Sequence, residues 1–251
     1  MTMLHIQLQS EYVLSLLGMP ITNTFLTSVL VTLIFILGVV IFSMKRRKEK
    51  SLFVDIVRVV VYEILAFVDM VTGDREFSKR IFPVVATLFL FIVSANLLAM
   101  IPGFLGAFFV HTAEGPIPLL RSPNSDLTTT VALALLGVII SNFHSLKILG
   151  VRNYVRRFLN LSSPAQFVVG FFELISEAVK VLSFSFRLFG NIFAGEVLLL
   201  VVAFLVPYVM PVPFLILEVF VGVIQAFIFS VLTLTFIKTG TMRHTESKEH
   251  P

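Results

Sequence analysis

Five stretches of this chain are each about as long as a bilayer is thick and almost free of charge: roughly Asn23–Met44, Phe82–Ile101, Leu127–Ser145, Phe184–Val206 and Phe214–Ile237. A hydrocarbon core about 30 Å thick needs about 20 apolar residues in a helix. Inside it no water is at hand for the backbone, so each spanning segment must satisfy its own N–H and C=O groups by coiling. The expectation is therefore an all-α, polytopic membrane protein with about five membrane-crossing helices. Composition agrees. Of 251 residues, 57% are hydrophobic and 14% charged, and the mean hydropathy is +0.98. Soluble domains run at about 45–50% apolar and about 25% charged.

The segments between the spans read differently. Residues 51–72 set Asp55, Arg58, Glu63 and Asp69 among apolar residues at helical spacing, which suits a helix lying in the interface. Residues 103–126 are rich in Gly and Pro and read as a loop with a short re-entrant turn. Residues 165–183 are helical in pattern and run into the fourth span without a break, which implies one helix of about 40 residues, about 60 Å long. Such a helix cannot stand upright in a bilayer and must tilt or begin in the interface. The prolines of Pro207–Pro213 mark the turn to the fifth span, so the chain ends in a long tilted helical hairpin. The whole of 1–251 is expected to be one membrane domain. It comprises an N-terminal span with the interfacial helix (1–80), a middle helix pair (81–150) and the long hairpin (151–251).

Placing the N-terminus outside puts all but three of the 19 Lys and Arg on the inner side of five spans. Arg121 alone falls outside, while Lys180 and Arg187 lie in the fourth helix. That bias orients the chain with its C-terminus in the cytoplasm. It also accounts for the net charge of +4 as loops beside anionic lipid, with no nucleic-acid face. The Lys45-Arg46-Arg47-Lys48 run after the first span reads as a cytoplasmic stop and makes that span an anchor, not a cleaved signal. With no cysteine, five scattered His and no Gly-rich phosphate loop, neither a metal site, a cofactor nor an enzymatic nucleophile is expected.

The fourth helix carries what chemistry there is. Glu173, Ser176, Lys180, Ser183, Arg187 and Asn191 recur every three or four residues and fall within a sector of roughly 80°, forming one polar stripe. An ionisable residue inside a transmembrane helix costs several kcal/mol and turns to protein or water. Glu173, Glu177 and Lys180 lie near the membrane edge, where snorkelling accounts for them as well as a channel does. Arg187, amid Phe184, Phe186, Leu188 and Phe189, lies well past any interface. An ion pair with Glu196 is disfavoured, because nine residues rotate the helix by about 180°. Gly190, Ala194 and Gly195 allow close helix approach, or leave room for water or a moving partner. In the fifth span Glu218 and Gln225 share one face, about 10 Å apart. The intervening turn brings Glu196 and Glu218 into the same outer half, where two carboxylates can share a proton. These residues by themselves describe a proton or ion pathway. A secondary transporter or cation channel is the alternative, although the inverted repeats or paired broken helices of transporters are not visible.

The run Ser185-Phe-Arg187-Leu-Phe-Gly-Asn191-Ile-Phe-Ala-Gly-Glu196 resembles the signature of subunit a of F-type ATP synthases, as does Gln225-Ala-Phe-Ile-Phe229. Asn96-Leu-Leu-Ala-Met-Ile-Pro102 and Ser125–Ala134 resemble weaker patterns of the same family, and the likeness covers most of residues 20–240. The resemblance implies a non-catalytic stator subunit in a bacterial inner membrane. Its partners would be the c-subunit ring, b-type peripheral stalk subunits, lipid and protons. It implies that Arg187 is the proton gate, that Asn191, Glu196, Glu218 and Gln225 line an outer half-channel, and that Glu173 and Ser176, with Lys180 and Ser183 on the same stripe, line an inner one. Many relatives carry His at one of the Glu196 and Glu218 positions, so a carboxylate pair here takes the place of a His-assisted relay. Some relatives also carry an acid where Ala99 stands.

Overall fold

A computed structural model describes residues 10–16, 19–45, 51–101, 109–112, 115–158, 163–207 and 209–242. Seven α-helices follow in order: α1 (Asn23–Lys45), α2 (Leu52–Thr72), α3 (Arg75–Met100), α4 (Leu127–Leu149), α5 (Val151–Phe158), α6 (Pro164–Leu205) and α7 (Pro211–Met242). Five of them, α1, α3, α4, α6 and α7, are long and apolar enough to cross a membrane. The chain is thus an all-α, multi-pass membrane protein, as its apolar stretches predict. The basic cluster Arg46–Lys50 and the tail with Arg243 and Lys248 lie outside the described residues.

Local chemistry sets the helix ends. Gly73 closes α2 with φ of 72°, a left-handed conformation that costs Gly nothing, and its N–H donates to the Asp69 carbonyl. Asp74 then caps α3 by accepting from the Glu76 and Phe77 N–H groups. Because of that cap α3 begins at Arg75, not at Phe82, where the apolar span was expected to start. It passes through Pro83, where the ladder loses one donor. Asp126 caps α4 through Thr128 N–H, and Ser163 caps α6 through Gln166 N–H with Pro164 behind it. From that cap α6 runs 42 residues as one helix. The final turn is shorter than its prolines suggest. Pro211 opens α7, where a missing N–H has no intrahelical partner to lose.

Two short antiparallel hairpins, β1 (Tyr12–Leu16) with β2 (Met19–Thr22) and β3 (Phe109–Thr112) with β4 (Gly115–Pro118), were not expected from the sequence, nor was α5. Part of the predicted 103–126 loop lies outside the described residues. The remainder does more than connect. Its last stretch makes a 3-10 turn at Pro123–Ser125 and buries Leu120, Ser122, Asn124, Ser125 and Asp126.

The core lies between α3, α4, α6 and α7. Leu88, Ile92, Leu133, Ala134, Phe184, Leu188, Ile192, Ala226 and Phe229 form its centre. A second cluster joins Val68 of α2 to Ile81, Val85, Leu234 and Ile237. α6 and α7 pack antiparallel, since contacts that climb one helix descend the other: Phe184 against Phe229, Asn191 against Gln225 and Gly195 against Glu218.

Candidate functional site

The polar stripe of α6 is turned away from that core. Phe184, Ser185, Leu188 and Ile192 face inward and are buried, so Ser183, Arg187 and Asn191 stand on the exposed side. Arg187 sits just past the middle of the 42-residue helix, and its Nη2 donates to Ser183 Oγ at 3.3 Å. On the inward side of the same turn, the Ser185 and Thr130 hydroxyls lie 3.2 Å apart and tie α6 to α4.

Toward the C-terminal end of α6 the polar groups run inward. Asn191 Nδ2 donates to Gln225 Oε1 at 2.9 Å, which joins α6 to α7 one turn beyond Arg187. Glu218 is 92% buried, and it fits because Gly195 has no side chain: a Cβ there would stand 2.5 Å from Glu218 Oε1. Glu196 faces the other way from Arg187. Its Oε1 lies 3.8 Å from Nε of Arg121, whose side chain is only 11% exposed. The Oε2 atoms of both glutamates are buried with no protein partner. Buried polar oxygens of that kind are ordinarily satisfied by water.

The buried 3-10 segment holds this end together. Asn124 Nδ2 donates to Asn96 Oδ1 at 2.7 Å, and Asn96 Nδ2 donates to the Gly222 carbonyl at 2.9 Å, one helical turn from Glu218. The Arg121 N–H donates to Thr27 Oγ1, and Thr24 Oγ1 donates to Asp126 Oδ2, which anchors the start of α1. Arg121 is thus delivered by backbone contacts to α1 and set against Glu196 on α6.

Toward the N-terminal end of α6 lies a cavity of about 430 Å³ between α4, α6 and α7. α6 lines it with Glu173, Ser176, Glu177 and Lys180, and α4 with Ser141, Asn142 and Ser145. Lys180 Nζ donates to Glu177 Oε1 at 2.7 Å and lies 4.7 Å from the centre of the Phe236 ring. Asn142 Nδ2 donates to Glu177 Oε2 at 3.3 Å, and Ser176 Oγ donates to the Phe172 carbonyl at 2.8 Å. An exposed arginine therefore separates two polar regions, one built on α6, α7 and the 3-10 segment, the other on α6 and α4.

Comparison with known proteins bears on what this arrangement belongs to. The model of a family described as ATP synthase A chain matches residues 25–238. The chain belongs to the ATP synthase A chain family. It is 30% identical to ATP synthase subunit a of Legionella pneumophila subsp. pneumophila over 238 residues, covering 94% of this chain and 93% of that one. It is 33% identical to ATP synthase subunit a 2 of Pelobacter propionicus over 233 residues, 93% of this chain and 92% of the relative. To ATP synthase subunit a of Moorella thermoacetica it is 36% identical over 167 residues, 66% of this chain and 67% of the other. As a member of the A chain family it is a non-catalytic, membrane-embedded subunit of ATP synthase with the Fo proton-channel role.

Within this A chain, the residues singled out by sequence occupy three places. Arg187 and Ser183 lie on the exposed stripe; Asn191, Gln225, Glu196 and Glu218 lie beyond it along α6; Glu173, Ser176 and Lys180 line the cavity before it. Sequence reasoning passed over Arg121, because a lone arginine in a Gly- and Pro-rich loop looks solvent-exposed. It also left Glu177 at the interface and overlooked Asn142. The signal for Asn142 was present, since Ser141, Asn142 and Ser145 cluster near the end of an otherwise apolar span.

Proposed function

We propose that this subunit forms two offset proton half-channels separated by Arg187, which together load and unload a rotating ring of c subunits. One observation carries the reading: the Arg187 guanidinium is exposed on the outer face of the helix bundle, midway along a membrane-spanning helix. A charge cannot cheaply face lipid, so that face calls for a polar or ionisable partner from another chain. A carboxylate on a passing ring helix meets the requirement.

Asn191, Glu196, Glu218 and Gln225 form the outer half-channel in this reading. A proton entering there neutralises the ring carboxylate, which then tolerates lipid. After nearly a full turn the site reaches the inner half-channel, formed by Glu173, Ser176, Lys180 and Ser183. There the field of Arg187 favours the ionised ring carboxylate, and the proton leaves through the cavity. The separation of the two polar regions along α6 supports this division. Arg187 also blocks direct passage between them, because a fixed cation repels a proton. The basic-residue bias supports an N-terminus outside and a C-terminus in the cytoplasm of a bacterial inner membrane. The exposed apolar faces of α1 and α2 suit lipid and b-type stalk helices.

The test is Arg187→Ala in the assembled enzyme. Proton-driven ATP synthesis should be lost while the subunit still inserts and assembles, and passive proton leak through the membrane sector should rise. Near-normal coupled synthesis would end the gating model.

A further inference from the structure

The inner cavity contains a charge pair, Lys180 with Glu177, in which the half-channel reading uses Lys180 as lining and gives Glu177 no task. Lys180 lies seven residues before Arg187, on the same stripe and about 10 Å from it along the helix. An ammonium there is a second cation in series with the gate, placed where every departing proton must pass. In a cavity whose wall mixes Phe172, Phe236 and Val169 with hydroxyl and amide groups, its field is less screened than in open water. Yet the same ammonium is 2.7 Å from Glu177 Oε1, and Asn142 of α4 holds the other oxygen of that carboxylate at 3.3 Å. The pair is sheltered, with side-chain exposures of 24% for Lys180 and 13% for Glu177. Glu177 is turned about 80° from Arg187 around α6, off the stripe and toward α4. It is therefore set to receive the Lys180 ammonium and not to meet the ring.

We infer that Glu177 is a positioning residue for the inner half-channel, holding Lys180 against α4 and cancelling its charge so that protons leave the cavity unopposed. This rests on the half-channel assignment above. Glu173 lines the same cavity one turn away, but it is Glu177 whose oxygen accepts from the ammonium. The Phe236 ring lies 4.7 Å from the ammonium, so Lys180 is held from α7 as well. Asn142 has a precise part in this: an amide N–H fixes the carboxylate without adding a charge.

A compensating double substitution separates this role from a relay and from a purely structural one. Assembled enzyme carrying Glu177→Gln, Glu177→Gln with Lys180→Gln, or Arg187→Ala is reconstituted into vesicles, and ATP-driven pumping and passive proton conductance are measured per assembled complex. Glu177→Gln takes away the carboxylate that accepts from the ammonium and should slow both fluxes on the order of tenfold. Removing the ammonium as well should restore most of the loss. If Glu177→Gln conducts at the wild-type rate, or if the double substitution stays as slow as the single one, the inference is overturned. If the single variant fails to assemble, the double must both assemble and conduct, and its failure to do either also overturns the inference. The Arg187→Ala arm keeps the readings apart. Loss of coupling there with normal Glu177→Gln flux defeats only the Glu177 role, whereas normal coupling in Arg187→Ala defeats the half-channel reading beneath it.

Discussion

Arg121 shows what a single residue contributes that its sequence neighbours do not reveal. It stands in a loop, but its backbone N–H is fixed to Thr27 and its side chain lies against Glu196 on a helix 75 positions later. Breaking one side of a sheltered ion pair costs more than the pair contributes, because the other charge is left behind. Arg121→Gln is accordingly expected to lower ATP-driven proton pumping several-fold, while Arg121→Lys, which keeps the charge, retains most of it. Combining Arg121→Gln with Glu196→Gln should be no worse than Glu196→Gln alone, since both remove the same interaction. Additive losses in vesicle pumping assays would mean that Arg121 does not act through Glu196.

The elements that position the site are bonded where apolar packing alone would leave them free to slide. Asn96 on α3 bridges the 3-10 segment and α7 through Asn124 and the Gly222 carbonyl, and it is fully buried. A Cβ at Gly222 would meet Asn96 Cβ at 3.2 Å, so the two helices touch at that point. Asn96→Leu keeps the branched shape but leaves the Asn124 amide in the interior without its acceptor, and it removes the extra hydrogen bond to the Gly222 carbonyl, which α7 itself still satisfies. One unsatisfied buried amide costs about 1–3 kcal/mol. The variant should lower the thermal inactivation midpoint of the assembled complex and weaken pumping, because α7 loses the tie nearest Glu218. An unchanged midpoint would show that shape alone holds α3 to α7.

For the whole molecule, the ends of the helices sort into two sets. The start of α1, the end of α3 and the start of α4 meet at the 3-10 segment, and Asn96 near that end of α3 reaches Gly222 in the first half of α7. At the other end, Lys238 of α7 donates to the Val71 carbonyl at the end of α2. This sorting matches the alternation of the basic residues. Cysteines introduced at Met210 in the α6–α7 turn and at Glu76 at the start of α3 should label from opposite faces of the membrane, Met210→Cys from outside and Glu76→Cys from inside. The absence of native cysteine keeps the background clean. Labelling of both from one face would require a different number of crossings.

Hydropathy and charge by themselves determined the class of fold, the five crossings, the long α6–α7 hairpin and the polar stripe, because all of these follow from local period and from the cost of placing charge in lipid. The family signature around Arg187 was likewise readable without coordinates. Only tertiary structure decided which groups meet. Residues on α4 and in the loop before it are separated by many positions from α6, and helical period says nothing about which distant side chain fills the space beside Glu196 or Glu177. Arg121 and Asn142 reach those carboxylates because a buried 3-10 turn and the α4–α6 packing carry them there. The early start of α3 depended on capping, where the Asp74 side chain's hydrogen bonds outweigh the hydropathy of the residues that follow, and the start of α7 on Pro211, which has no intrahelical donor to lose there.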